Sequence, residues 1–537
     1  MPLAVTDVLN RHGELRDKRR PEEPQWREIA SSLRPEEAGI GTDTKRDRIA
    51  DEIFDSTPLY ALDQFEGGLF SQATNPADRW FEFGLTDKDL QEWGPVKQYL
   101  WNFSALAFSS FGPSVSAFYA MIPASFGDLG AFGFGTMYSD QKPGGGFTDI
   151  AIPLSESYID TDGAGGVTDF NREWRASGLR LKRQFGEAAK SLDDKREYTF
   201  VHSVFPNPEH EPGRIGDRGK ALASIYCSPD EKNLRIAGGY YEMPYHSAPW
   251  KLRGGRTWPM GPGHIARPDV NMLNEMERSH IVAAQFAAEP PILLQDQSVI
   301  TAADMSPNKL LYGTVNEDGK PLAQAFQRGG DLKLSLMQSD QRRASIREAF
   351  LFSIMQIVNR PQMTASEFLG WKEEQLRLMA PNLGRIHHFQ LAPYIMRRAR
   401  LLMRAGMVPP PPPELRNQNI EIGFISPLAR AQKVSQGRST MQFVQSMQGL
   451  AATDPAAMDN VDSDAVATVM ADALGPPPQV RRAPDAVAQL RQARAQEMAQ
   501  RAAIEKAAGA ASVYADVAHA NQAQTRSAQR MPDGGPQ

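Results

Sequence analysis

The chain has 537 residues, of which 41% are hydrophobic and 23% charged, and its formal net charge is −5. This composition is typical of a globular protein, and a chain of this length usually forms two to four domains. The single cysteine, Cys227, excludes an intramolecular disulfide, and because the N-terminus lacks the apolar core of a signal peptide we expect no export.

The charge is distributed unevenly along the chain. Residues 1–330 carry 35 Lys and Arg against 46 Asp and Glu, whereas residues 331–404 carry 12 against 6. A protein that binds DNA tightly has a concentrated basic face, which this pattern does not predict. The distribution favours a protein that contacts a polyanion locally without binding it tightly. The alternative is that these charges are solvated helix faces.

The first half of the chain combines helices with short strands. Residues 1–95 read as helical up to a turn at Asn75-Pro76, which is followed by a strand-like segment at 80–83. Residues 98–127 carry no charge, but their serines and prolines interrupt the apolarity that a membrane span requires, so we expect buried helices there. Residues 145–270 mix short strands with Gly and Pro turns.

The sequence lacks the motifs of catalysis, nucleotide binding and metal binding. A phosphate loop needs Gly-Lys-Ser/Thr, but in the Gly-rich stretch 127–135 the last glycine is followed by Thr136-Met137, so these glycines are expected to serve turns or close packing. His387 and His388 are neighbours on a helix, point about 100° apart and cannot both face one metal. Cys227 is interpreted as a structural thiol. We therefore expect no enzyme activity, no cofactor and no metal.

From residue 267 onward long helices dominate. Asp269 is expected to cap a helix that runs to Glu289, and residues 290–330 read as loop and short strand. Residues 332–358 then predict a helix of 27 residues, about 40 Å long. Its second half is apolar nearly all round, so we expect other helices or neighbouring subunits to enclose it.

A short loop, Asn359-Arg360-Pro361-Gln362-Met363, separates this helix from the next one. Pro361 prevents the first helix from continuing, because proline lacks an N–H and restricts the residue before it. Thr364 and Glu367 can form a capping box at the start of a second long helix, which we expect to run to Gly406.

The C-terminal quarter of the chain is rich in proline and alanine. The five prolines of 409–413 indicate a stiff linker, and residues 420–432 favour a strand followed by a helix. Another helix is predicted over 455–475. Residues 486–530 favour a helix with a thin apolar stripe, so this helix is expected to join an oligomeric barrel or to be partly disordered.

Four blocks of sequence follow one another in an informative order. LFSQATNPADRWFEF (69–83) leads through an Asn-Pro turn to a Trp-Phe strand, and SAFYAMIPASFGDLGAFGFGTMYSD (116–140) joins a Ser-x-Phe-Tyr block to a Gly-rich turn. The third block is NRPQMTASEF with the leucine-rich helix and Leu-Ala-Pro motif behind it, and the fourth is ISPLARAQK (425–433). Together they resemble the portal, or head-to-tail connector, proteins of short-tailed (podovirus-type) bacteriophages. Members of that family more often have Gly-Thr-Gly where this chain has Gly133-Phe134-Gly135.

The resemblance implies a fold that is mainly α with a mixed α/β wing, assembled as a ring of twelve subunits around a central channel. Portal-type folds are divided into wing, stem, clip and crown. The implied regions are 1–270 for the wing, 271–289 for the first stem helix, 290–330 for the clip, 331–358 for the second stem helix, 359–363 for the tunnel loop, 364–480 for the long channel-side helix with the base of the wing or crown, and 481–537 for the C-terminal crown or barrel helix.

The resemblance also implies a function and a set of partners. Such a protein forms the ring at one capsid vertex through which the genome is packaged and ejected. It docks the terminase large subunit and then tail adaptor or tail tube proteins, contacts capsid and scaffolding proteins, and lets double-stranded DNA pass through its channel. It would be made in the host bacterial cytoplasm and end in the virion, with no enzyme activity, no cofactor and no membrane partner.

Two groups of residues are the candidate functional sites. The tunnel loop, which the resemblance places against DNA, consists of Asn359, Arg360, Pro361, Gln362 and Met363. Arg342, Arg343 and Arg347 on the second stem helix are candidates for lining the channel. The alternative for these three arginines is that they pair with Asp340, Glu348 or a neighbouring subunit's carboxylates, because ring interfaces use charged pairs for register.

Two other classes of protein remain open. A DNA-packaging or other nucleic-acid-processing ATPase would need a phosphate loop and acidic metal ligands, neither of which the sequence carries. A non-viral helical ring or scaffold protein would share the same architecture. Neighbouring terminase and coat genes would distinguish these classes from a portal.

Overall fold

The computed structural model describes residues 5–37, 40, 52–142, 144–231, 235–288, 292–294, 323–325, 332–355, 365–415, 418–425, 427–451, 454–474, 482 and 484–528. Over these ranges the chain is mainly helical with small antiparallel sheets, as the sequence predicts. Its internal contacts divide the chain into two compact units. The first holds Met1–Gly84, Asn102–Pro410 and Ile420–Gln432, and the second holds Leu85–Trp101, Pro411–Asn419 and Lys433–Gln537.

Helices make up much of the first 288 residues. Their bounds are α1 Val5–Arg19, α2 Glu23–Leu33, α3 Thr57–Ala73, α4 Lys88–Glu92, α5 Gly94–Ser109, α6 Phe118–Phe132, α7 Gly178–Phe185 and α8 Pro262–Ala288. Helices α5 and α6 confirm the buried helices expected from the uncharged segment, since Phe103, Phe118 and Phe126 are at most 2% exposed. In the described part of the chain, no helix is long and apolar enough to cross a membrane.

Strands form four sheets among the described residues. Their bounds are β1 Phe81–Leu85, β2 Phe134–Gln141, β3 Phe147–Ile152, β4 Ser157–Thr161, β5 Val167–Ser177, β6 Glu197–Pro206, β7 Leu222–Cys227, β8 Arg235–Tyr240, β9 Tyr245–Pro249, β10 Ile292–Leu294, β11 Ala323–Ala325 and β12 Ile420–Phe424. β1 pairs with β12, β10 with β11, β2 lies between β3 and β9, and β4 to β8 are joined in chain order. The strands predicted near residue 80 and across 145–270 are therefore present.

Helix α8 starts at Pro262, well before the predicted cap. Asp269 lies inside the helix, as does Pro268, so the prediction that Asp269 is the N-cap is wrong. The early turn is held by close packing against the end of α6, because a Cβ on Gly263 would lie 2.2 Å from the carbonyl oxygen of Ala131.

The single helix predicted over 332–358 is interrupted. Helix α9 spans Leu332–Ala349 and α10 spans Phe352–Met355, and Leu351 between them has a φ of 58°. Phe350 is fully buried, and its ring meets that of Phe65 in α3 edge-on, with the centroids 6.1 Å apart. The helix breaks next to this buried ring, although the local sequence favours a continuous helix. The expectation that other helices or subunits enclose the apolar segment is met, at Phe350, by α3 of the same chain.

Leu351 is the only non-glycine residue with a positive φ in the part of the chain that the structure describes. A left-handed backbone costs an L-residue roughly 1–2 kcal/mol and costs glycine almost nothing. We therefore expect Leu351→Gly to be more stable than Leu351→Ala by about 1 kcal/mol, because both variants lose the side chain but only glycine relieves the backbone. Chemical denaturation of the two variants measures the difference, and an alanine variant as stable as the glycine variant would contradict the expected strain.

The second long helix starts at the predicted place and is modified in its middle. Helix α11, Ala365–Ile386, begins directly after Thr364, although Thr364 and the side chain of Glu367 lie outside the described residues. A π-helical turn, His387–Leu391, joins it to α12, Ala392–Arg404. Pro393 has no N–H to donate, and a wider turn ahead of it accommodates that loss. The helix ends before Gly406, whose φ of 69° is typical of a glycine that follows a helix.

The C-terminal helices are α13 Pro427–Ala451, α14 Ser463–Leu474 and α15 Pro484–Ala528. Within the second unit, α13 and α14 approach closely, since a Cβ on Gly437 would lie 2.7 Å from the Cβ of Ala473. Arg491 of α15 forms an ion pair with Asp464 of α14 at 2.6 Å. Met498 and Ile504 are 68% and 69% exposed, which agrees with the thin apolar stripe predicted for α15.

Candidate functional site

Arg343 of α9 is held by carboxylates from three parts of the chain. Its Nη2 donates to Oε1 of Glu277 in α8 and its Nη1 donates to Oδ1 of Asp340, both at 2.8 Å. Its Nε donates to Oδ2 of Asp55, just ahead of α3, at 2.9 Å. Since three carboxylates share one guanidinium, Arg343 fixes α8 and α9 relative to each other and to the segment before α3.

The electrostatics of this cluster favour the charged forms. Burial lowers the pKa of Arg343, but hydrogen bonds to Asp340 and Asp55, with the charges of Asp55 and Glu277, outweigh burial and raise the pKa. Burial raises the pKa of Asp55, but hydrogen bonds from Thr57 and the Arg343 guanidinium outweigh it and lower the pKa. A carboxyl whose pKa is lowered by folding contributes stability above its ordinary range and loses that contribution as the pH falls through the folded value.

The other two candidate arginines of α9 differ in their surroundings. Nη1 of Arg342 donates to Oδ1 of Asp269 in α8 at 2.8 Å. Arg347 is exposed, and its guanidinium carbon lies 5.8 Å from the ring centroid of Phe352. Of the partners named from the sequence, Asp340 pairs with Arg343, whereas Asp55, Asp269 and Glu277 were not foreseen because they lie far away along the chain.

The predicted tunnel loop lies outside the described residues. This applies to Asn359, Arg360, Pro361, Gln362 and Met363 alike. The described residues end at Met355 in α10 and resume at Ala365 in α11.

A buried carboxylate anchors α12 to the three-stranded sheet. Nη2 of Arg398 donates to Oδ1 of Asp149 in β3 at 2.5 Å, and the hydroxyl groups of Tyr394 and Ser116 also donate to this carboxylate. The side chains of Arg398 and Asp149 are both 0% exposed, and the guanidinium carbon lies 3.8 Å from the ring centroid of Phe147. Burying two charges is costly, so the value of such a pair lies in selecting one arrangement of the helix on the sheet.

Two further polar side chains fasten the same region. Arg397 donates from Nε to the carbonyl oxygen of Ser139 and from Nη1 to that of Glu242, each at 3.0 Å. In the π-helical turn, Gln390 is fully buried and donates from Nε2 to Oγ of Ser125 at 2.9 Å. These contacts anchor the π-helical turn and α12 to neighbouring parts of the first unit.

The Gly-rich stretch packs closely, as expected for glycines that do not bind phosphate. A Cβ on Gly130 would lie 2.8 Å from side-chain carbons of Leu62 and Phe65, and one on Gly135 would lie 2.1 Å from the carbonyl oxygen of Ser125. Gly133 ends α6 with a φ of 80°. The prediction of turn and close-packing glycines is confirmed.

Of the residues singled out in the sequence, Cys227 is buried, His387 is half-buried and His388 is exposed. The ring of His387 stacks on Phe424 at 3.9 Å, and burial lowers the pKa of this histidine to about 4. Cys227 is buried, and burial raises the pKa of its thiol to about 11, which disfavours a reactive thiolate. Within the described ranges, no group of three or more His, Cys, Asp or Glu side chains is arranged to hold a metal ion.

Sequence reasoning missed the buried pair of Asp149 and Arg398. The available signal was a charged residue at a buried position of each element: Asp149 lies on the same face of β3 as Phe147, and Arg397 and Arg398 interrupt the apolar run of α12. That signal marks each residue separately. It does not identify its partner, which lies more than 200 residues away along the chain.

Comparisons with known proteins cover almost the whole chain. A family model described as "Bacteriophage head to tail connecting protein" matches residues 5–481. The chain is 28% identical over 516 residues to the "Probable portal protein" of Bordetella phage BPP-1, which covers 93% of this chain and 92% of that relative. It is 25% identical over 507 residues to the "Portal protein" of Salmonella phage epsilon15, covering 91% of each chain.

Proposed function

The chain belongs to the family of bacteriophage head-to-tail connecting proteins, and from this membership we infer that it acts as the portal at one vertex of a viral capsid. The single observation that carries this conclusion is the match of residues 5–481 to the family, supported by portal relatives that align over more than nine-tenths of both chains. A portal is a structural component of the virion. The genome enters and leaves the capsid through it.

We propose that the chain assembles into a ring, and specifically the dodecamer that the family resemblance implies. Among the described residues, large apolar side chains of the long helices are exposed, namely Met272, Ile281 and Phe286 on α8 and Met337 on α9, which are between 40% and 70% exposed. Exposed apolar side chains on these two helices support contacts with neighbouring subunits. The terminase large subunit, tail proteins, and capsid and scaffolding proteins are the further partners in this proposal.

The proposed division of the chain follows from the same resemblance. The wing would comprise 1–270, the stem helices 271–289 and 331–358, the clip 290–330, and the crown 481–537. The ion pairs of Arg342 and Arg343 support a role for these two residues in setting the register of the stem helices α8 and α9. Arg347, which is exposed, is the arginine of the three that best suits a role in lining the channel.

Electron microscopy of the purified full-length protein tests the proposal. We expect rings with a central channel, together with a mass several times that of the 59.4 kDa chain in light scattering. A stable monomer at micromolar concentration would overturn the ring. Rings that cannot replace the portal in a phage assembly extract would overturn the assigned function while leaving the assembly intact.

Truncation after Leu474 is expected to leave ring assembly intact. The described side chains of α15 are largely exposed, and its ion pair between Arg491 and Asp464 is exposed and contributes little. The loss should appear later, as less DNA packaged or retained in the head. Electron microscopy and a DNA-retention assay measure the two effects, with Arg491→Ala in the full-length chain as a control. A truncated chain that no longer assembles would show that α15 is an oligomerisation element.

A further inference from the structure

Three carboxyl groups, of which two are buried and that of Glu66 is half-buried, surround one arginine where α2, α3 and α6 meet. Nη2 of Arg34 lies 3.1 Å from Oε1 of Glu66 in α3, and its Nε lies 3.4 Å from Oδ1 of Asp128 in α6. Glu37 and Asp128 are only 6% and 3% exposed. Arg34 also donates from Nη2 to the carbonyl oxygen of Ala124 at 2.9 Å, so part of its capacity is used by the backbone.

A glycine in α6, Gly127, leaves the space that this cluster occupies. A Cβ on Gly127 of α6 would lie 1.8 Å from Nη2 of Arg34 and 1.9 Å from Oε1 of Glu66. Any larger residue at 127 would therefore displace the ion pair between α2 and α3. The packing of α6 against α2 and α3 therefore depends on glycine at position 127.

The charges in the cluster do not balance. Besides Arg34, the charged groups that face it from the described elements are Arg19 of α1, Glu36 and Glu37 after α2, Asp63 and Glu66 of α3, and Asp128 of α6. Arg19 donates to the carbonyl oxygens of Ser155 and Ser157 and pairs with Glu23, so it is engaged elsewhere. One guanidinium is left to face the carboxyl groups of Glu37, Glu66 and Asp128, and an excess of negative charge removed from water is strongly disfavoured.

A second observation concerns the side-chain oxygens of Glu37 and Asp128, which both belong to almost completely buried residues. In the described part of the chain, neither Oε2 of Glu37 nor Oδ1 of Asp128 receives a hydrogen bond from a protein N–H or hydroxyl group. An ionised carboxylate can only accept hydrogen bonds, whereas a protonated carboxyl can also donate one, so protonation would supply a hydrogen-bond donor at this buried site.

We propose that this cluster of Arg34, Glu37, Glu66 and Asp128 is a proton-binding latch that holds α2, α3 and α6 together when it is protonated and weakens when the protons leave. Protonation removes the excess negative charge and provides the donor that the pair of Glu37 and Asp128 needs. The occupant of the site is the proton itself. The packing of this part of the first unit is thereby linked to pH.

The pKa shifts of the three carboxyl groups determine whether stability rises or falls with pH. Burial raises the pKa of Asp128 well above its ordinary value and raises that of Glu37, and it raises the pKa of Glu66 to about 7, although Arg34 opposes the shift in each case. The folded chain therefore holds protons that the unfolded chain releases. The stabilisation is fully present below the ordinary glutamate value of 4.5 and is lost as the pH rises through about 7.

The test compares the native chain with Glu66→Gln, which is neutral and of the same shape, and with Glu36→Gln as a matched control. Glu36 faces the same arginine at 3.4 Å but is 61% exposed. The thermal midpoint of each full-length protein is measured between about pH 5 and about pH 8, and calorimetry in two buffers counts the protons released on unfolding. We expect the native midpoint to fall across this range, the Glu66→Gln midpoint to fall less, and about one proton fewer to be released near neutral pH.

Two results would overturn the latch. One is an identical pH dependence for the native chain and Glu66→Gln. The other is a Glu36→Gln control that flattens the profile as much as Glu66→Gln does. If Glu66→Gln fails to fold, infrared spectroscopy of the native protein with Asp128→Asn as reference decides the matter. We expect a band from a protonated buried carboxyl at neutral pH that is lost in Asp128→Asn, and its absence from the native protein would refute the proposal.

Discussion

Asp149→Ala is expected to destabilise the chain by about 3–5 kcal/mol, because the guanidinium of Arg398 would remain buried without its counter-ion. Both side chains are completely inaccessible, and the carboxylate also accepts hydrogen bonds from Tyr394 and Ser116 that would be left without an acceptor. The free energy of unfolding from chemical denaturation, at one fixed protein concentration, measures the loss.

A matched control is available at the end of the same helix. Arg404 forms two hydrogen bonds with the Glu242 carboxylate, at 2.7 and 2.8 Å, but its side chain is 36% exposed. Arg404→Ala should therefore cost only about 0–1 kcal/mol. If Asp149→Ala cost no more than this control, the buried pair would not be the anchor of α12.

A double substitution separates the buried charge from the packing. In Asp149→Leu with Arg398→Met, no unpaired charge remains in the interior, so we expect the double variant to be more stable than either single variant. Denaturation of the four proteins completes the thermodynamic cycle. Costs that simply add would show that the two residues act independently.

Deletion of residues 359–363 is expected to leave rings intact and to remove most DNA-filled heads. The segment lies between α10 and α11, which have their own stop and start signals, and it carries one cation, Arg360. The family resemblance implies that this segment contacts DNA in the channel, so we expect its loss to impair packaging and not assembly. Electron microscopy of the rings and the yield of filled heads in a packaging assay measure the two effects separately.

Substitutions at Arg360 test the electrostatic part of this proposal. Arg360→Glu should lower the yield of filled heads, because it places a negative charge beside phosphate. Arg360→Ala should have only a small effect, since one screened phosphate contact contributes little and DNA must slide. Loss of ring formation in the loop deletion would instead assign the segment to assembly, and our proposed role for it would be wrong.

The sequence by itself determined the class of protein and much of the local structure. The uncharged but interrupted stretch of 98–127 predicted buried helices, and α5 and α6 are such helices. Pro361 and Thr364 predicted a helix that starts at about residue 365, and Gly406 predicted its end. Proline stops a preceding helix, threonine caps a following one, and glycine readily adopts the positive φ found after a helix. The four ordered blocks predicted the family to which the chain belongs.

Tertiary structure decided the features that depend on partners distant in the chain. The contact of Phe350 with Phe65 accompanies the break after α9, and the contact of Gly263 with Ala131 starts α8 early, although local sequence favoured other boundaries. The ion pair of Asp149 with Arg398 could not be predicted either. Local sequence specifies which backbone conformations are accessible, whereas the choice among charged partners depends on which side chains folding brings within a few ångströms and removes from water.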